Sequence, residues 1–120
     1  MEGVQTGQED GEMKMALTRN FVETLKARAE RDPDFRKELL RESIEMFLSG
    51  EVETGKLILR DYINATIGFV ALGKAIHIDP KSLMRMLGPS GNPTTDNFFE
   101  IIKHLQAKEG VHLKVEAAIA

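Results

Sequence analysis

Apolar residues recur along this chain at the three-to-four-residue spacing of helices that face a core, from Phe21 to Leu105. Thr18 is placed to cap a first helix with Phe21, Val22, Leu25 and Ala29 on one face. Asp32-Pro33 starts a second, because a capping carboxylate is followed by proline at the first helical position, where no N–H is needed. Phe35, Leu39, Leu40, Ile44, Phe47 and Leu48 then repeat at helical spacing until Ser49-Gly50 stops the run. Arg36, Lys37, Arg41, Glu42 and Glu45 form the opposite, solvated face. A third helix takes Glu51 or Glu53 in its first turn, buries Leu57, Leu59, Ile63 and Ile67, and ends at Gly68.

Beyond Gly68 the elements shorten. Phe69 to Ile76 predicts one short helix, and Asp79-Pro80 caps and starts another through Leu87. Gly88-Pro89-Ser90-Gly91-Asn92-Pro93 is a loop. Thr94 or Thr95 caps a last helix with Phe98, Phe99, Ile101, Ile102 and Leu105, closed by Gly110. Val111, Leu113 and Val115 alternate with His112 and Lys114, which fits either a short strand or a docked tail. Residues 1–14 are rich in Gly, Gln and acids without apolar periodicity and predict a frayed tail.

At 120 residues, 42% hydrophobic and 29% charged, the chain has room for one domain, or for one domain with a helical extension. It has no Cys, which excludes disulfides and thiolate metal sites. His77, His104 and His112 are too scattered to form a metal set without other ligands. Apolar stretches such as Ile67 to Leu72 are too short to span a bilayer, so no membrane partner is expected. Glu2, Glu9, Asp10 and Glu12 occupy the region where a signal peptide would be basic and then apolar, which leads to the expectation of a cytoplasmic protein.

The net charge of -3 argues against a nucleic-acid binder, but the charge is unevenly placed. Residues 1–55 carry 8 Lys/Arg against 13 Asp/Glu, and residues 56–120 carry 8 against 6. A mildly basic half therefore follows an acidic one.

Candidate catalytic chemistry is thin. Gly50 to Leu57 reads G-E-V-E-T-G-K-L, one residue away from a phosphate-binding loop. Leu57 cannot ligate magnesium where Ser or Thr must, Glu51 and Glu53 would repel phosphates, and a helix precedes the segment instead of a strand. No Ser, His and acid grouping stands out, and the six Met residues suit core gaps better than cofactors. The expectation is a protein without enzymatic activity, metal or cofactor.

The stretch from Leu72 to Leu87 has the composition of two short helices joined by a tight turn. Leu72 and Ile76 are large apolar residues, and Gly73 is small where a second helix would cross. His77 stands at the turn, and His is among the residue types that tolerate a left-handed backbone. Ile78 is the apolar plug, and Leu83 with Met86 or Leu87 lies underneath. The segment from Ile67 to Leu105 resembles the lambda-repressor-like (Xre-type) helix-turn-helix domain. It carries the runs Leu72-Gly73-Lys74-Ala75-Ile76 and Ser82-Leu83-Met84-Arg85-Met86-Leu87 and the loop Gly91-Asn92-Pro93. More narrowly it is similar to the addiction-module antidote group, in which a Gly-Asn-Pro turn typically follows the recognition helix. Gly73 departs from the usual Ala of that pattern, and His77 from the usual turn Gly.

The resemblance implies an all-α lambda-repressor-like helix-turn-helix domain over residues 55–110. An N-terminal helical extension at 15–54 precedes it, and a tail or short strand at 111–120 follows. It implies insertion of a recognition helix into the major groove of double-stranded DNA. Lys81, Ser82 and Arg85 would then face base edges or nearby phosphates with Met84 beside them. Lys74, Asn92, Thr94, Asn97 and the amides at helix starts would position phosphates. The implied function is a transcriptional regulator, narrowed by the antidote likeness to an antitoxin that represses its own operon. The expected partners are a second copy, since such domains usually bind two half-sites, and a small basic ribonuclease toxin of the RelE type. The N-terminal helices would serve either contact, or simply complete the core. The alternative is a protein-interaction module that keeps the helix-turn-helix shape without binding DNA.

Overall fold

The computed structural model describes residues 23–120. Among them every regular element is helical: α1 covers residues 23–31, α2 Pro33–Leu48, α3 Val52–Ala65, α4 Phe69–Ile76, α5 Pro80–Met86 and α6 Thr95–Glu109. The tail expected at residues 1–14, the Thr18 cap, Phe21 and Val22 lie outside the described residues.

Local chemistry sets most boundaries. The Asp32 carboxylate accepts from the Phe35 amide at 3.1 Å, and Pro33 opens α2. Asp79 accepts from the amides of Lys81 and Ser82 at 3.1 and 3.2 Å, and the Thr94 hydroxyl from that of Asn97 at 3.1 Å. Each cap supplies an acceptor to amides that the first helical turn leaves unpartnered. α3 starts differently, for Glu51 makes no capping bond and Glu53 provides the acidic first turn. That helix ends at Ala65, short of the expected stop at Gly68, and Ile67 packs from the connection that follows.

One buried cluster joins Leu40 of α2, Leu59, Tyr62 and Ile63 of α3, Phe69 and Leu72 of α4, Leu83 and Leu87 around α5, and Ile101, Ile102 and Leu105 of α6. Helix α2 therefore completes the same core as the elements that follow it, and it runs along α3. Gly55 permits that approach, since a β-carbon there would lie 3.0 Å from the Phe47 ring. A satellite cluster of Leu25, Ala29 and Ala65 seats α1. Arg28 of α1 stands 4.2 Å from the centroid of the Phe35 ring, a cation–π contact to the start of α2.

Three apolar positions expected on inner faces lie outward. Leu48, Leu57 and Phe99 are 66%, 49% and 61% exposed. In α3 the inner face is fixed by Leu59 and Ile63, and Leu57 is rotated about 200° from Leu59. Leu48 ends α2 beside the exposed Ser49, and Phe99 leans edge-on against Phe98 with 5.3 Å between centroids. Residues 111–120 form no strand; Val111 and Leu113 pack on the core as a docked tail, and the Leu113 amide donates to Gln106 Oε1 at 2.7 Å. Among the described residues no helix is long and apolar enough to cross a membrane.

Candidate functional site

Helices α4 and α5 meet at a corner built from the residues that the sequence singled out. His77 takes the left-handed conformation, with φ 60° and ψ 42°. The Ile78 amide then donates to the Gly73 carbonyl at 3.0 Å and closes the turn. A β-carbon on Gly73 would meet the Ile78 carbonyl oxygen at 2.5 Å and the Pro80 ring at 3.1 Å. Leu72 and Leu83 are fully buried beneath the corner, and the half-buried Ile78 packs against the same core.

The outward side of α5 carries Lys81, Met84 and Arg85, all exposed and spaced three and four residues apart, so they share one helical face. Ser82 is half-buried at the edge of that face, and Lys74 is exposed in the last turn of α4. Lys74, Lys81 and Arg85 make no ion pair among the described residues. Asn92 and Thr94 are exposed and Asn97 is half-buried. The helix-start amides expected to meet phosphates are otherwise engaged. Those of Lys81 and Ser82 bond to Asp79, and that of Asn97 bonds to Thr94.

The loop after α5 is held from beneath by a residue that sequence reasoning set aside. Lys56 is 1% exposed, and its ammonium donates to the carbonyls of Gly88 at 3.0 Å and Gly91 at 2.6 Å. Asn92 Oδ1 at 3.4 Å and Glu53 Oε2 at 2.9 Å complete its oxygen shell. Arg60, one turn further along α3, donates to the Leu87 carbonyl at 3.0 Å. Gly91 lies so close to the end of α5 that a β-carbon would collide with the Arg85 carbonyl. The Gly55-Lys56 pair that imitates a phosphate loop thus serves the interior, through the Phe47 contact and the loop clamp. The available signal was position: Lys56, Leu59 and Ile63 share one face of α3 at the i, i+3, i+7 spacing.

A second polar network ties α1, α2 and α3 to the end of α6. Arg36 Nε donates to Glu109 Oε2 at 3.0 Å, its Nη1 donates to the Ala29 carbonyl at 2.5 Å, and the Tyr62 hydroxyl donates to Glu109 Oε1 at 2.5 Å. The Glu109 side chain is 5% exposed, so its charge is compensated by direct donors. Burial pushes the Tyr62 phenol well above its ordinary pKa, and the hydrogen bond and negative charge of Glu109 push the same way. Burial also raises Asp61, against the opposing charge of Arg60. Among the described residues no three or more metal-ligating side chains converge, and His104 lies half-buried on α6 while His77 and His112 are exposed.

Comparison with protein-family models, curated proteins and solved structures returned no match.

Proposed function

We propose that this chain is a sequence-specific DNA-binding transcriptional regulator of lambda-repressor-like helix-turn-helix type, acting as a homodimer. The observation that carries the reading is the α4–α5 corner, closed at Gly73 and His77, with Lys81 and Arg85 unpaired on the outer face of the second helix. In this reading α5 enters the major groove, where Arg or Lys can bond a guanine edge and Met84 can meet a thymine methyl group. Lys74 lies near enough in sequence to serve a phosphate. Asn92 contributes from a loop whose shape the Lys56 clamp fixes, and Thr94 and Asn97 from the start of α6. The narrower form of the proposal is an antitoxin that represses its own operon and binds a small basic RelE-type toxin. The acidic first half would steer such a partner, and a neighbouring gene for a small basic protein would favour it.

The test is fluorescence anisotropy of the protein on its own upstream DNA across a salt series, with unrelated DNA as competitor. Binding that outlasts the competitor and weakens log-linearly with salt supports a specific regulator that contacts several phosphates. Weak binding that is equal on both DNAs turns the reading to a protein-interaction module.

A further inference from the structure

Between α2, α6 and the C-terminal tail runs an apolar groove lined by Phe47, Leu48, Phe98, Phe99, Leu113 and Val115. Leu48 and Phe99 are largely exposed there, and Val115 is 80% exposed. Large apolar side chains gathered in one place on a surface are the mark of a contact site.

The chemistry around the groove selects the occupant. Its rim bears Arg41 and Lys114 beside Glu45 and Glu116, two charges of each sign. Arg41 is already paired within its helix to Glu38 and Glu45. Lys114 and Glu116 make no ion pair among the described residues. A rim without net charge gives no steering to a basic or an acidic partner, whereas a copy of the same surface can meet it with reciprocal pairs. The tail adds a second argument. Among the described residues, the backbone from His112 onward makes no backbone–backbone hydrogen bond, yet its side chains alternate with the period of a strand. Apart from the Leu113 amide, which Gln106 Oε1 holds, its donors and acceptors are open to pairing with another chain.

We infer that this groove is a two-fold contact with a second copy of the chain, in which the two tails run antiparallel about an axis at Val115. Lys114 then faces the partner's Glu116, and the symmetry repeats the pair. The contact shields Leu48, Phe99 and Val115 together. This inference rests on the dimer part of the proposal above and names its surface.

The test uses the full chain, which has no cysteine of its own. Opposed residues of an antiparallel pair have α-carbons about 4.5–5.5 Å apart, within reach of a disulfide. Val115→Cys should give a disulfide-linked dimer on mild oxidation, while Val70→Cys, exposed on α4 outside the groove, should not. By light scattering, Phe99→Glu should weaken self-association about tenfold or more. Lys114→Glu should weaken it as well, and adding Glu116→Lys should restore it. A wild-type monomer at tens of micromolar overturns both the dimer reading and this surface. A dimer that neither cross-links through Val115→Cys nor responds to Phe99→Glu overturns the surface alone.

Discussion

A β-carbon on Gly73 would stand 2.5 Å from the carbonyl oxygen of Ile78. The obstructing atom belongs to the backbone just past a left-handed His77, so no side-chain rotation relieves it. Helices α4 and α5 therefore cross at a distance that only glycine allows. Gly73→Ala should destabilise the protein by about 1–3 kcal/mol through overpacking. That loss should appear even though Ala is the better helix former by about 1 kcal/mol. Urea unfolding checks it, and a midpoint equal to or above that of the wild type would mean that the corner relaxes.

Lys56 poses the opposite problem, a charge whose removal leaves an acceptor behind. Replacing it with Met keeps the buried stem and deletes the ammonium, which strands the Gly91 carbonyl, while the Gly88 carbonyl keeps the Gly91 amide. An acceptor left unsatisfied out of water costs about 1–3 kcal/mol, so Lys56→Met should lose stability within that range. Amide exchange should also quicken in residues 88–93 before it does in α3. Unchanged exchange in the loop would remove Lys56 from its role as clamp.

These two residues show what was legible in the sequence. The caps Asp32, Asp79 and Thr94 were readable because a cap and its amide lie two or three residues apart. The corner was readable for a similar reason, since Gly73, His77 and Ile78 act on near neighbours. Lys56 was not, because the loop carbonyls that it binds are more than thirty residues away and a Gly-Lys pair looks solvated or phosphate-binding. The Arg36–Glu109 pair spans 73 residues and is equally silent in the sequence. Leu48, Leu57 and Phe99 failed in another way, because periodicity names a face without fixing its width. Where two of the three border a groove, their exposure carries information that a buried face would not have given.

Tyr62 is the only tyrosine in a chain without tryptophan, so its phenolate absorbance reports on one site. Burial, then the bond to Glu109, raises its folded-state pKa above the unfolded value near 10. As pH rises, the unfolded chain releases the phenol proton first. The contribution of this network to stability is thus whole below about pH 10 and declines above it. The native protein should resist ionisation well past the point at which the urea-unfolded chain titrates. Glu109→Gln should bring the native transition down by removing the neighbouring charge, and coincident native and unfolded titrations would place Tyr62 in water.

On the DNA-binding reading, Lys81 and Arg85 should differ in how their loss is felt. Both are exposed and unpaired, so replacing either with Ala should leave the melting temperature essentially unchanged. Arg85 lies in the last turn of α5 and suits a bidentate guanine contact. Its removal should cost about 1–3 kcal/mol on the specific site and narrow the gap to unrelated DNA. Lys81, at the start of the helix, suits a phosphate. Its removal should weaken binding to all sequences alike and lower the salt slope by about 1. If Arg85→Ala leaves affinity for both DNAs unchanged, the residue does not touch bases. If neither variant alters the salt slope, the outer face of α5 is not the nucleic-acid surface.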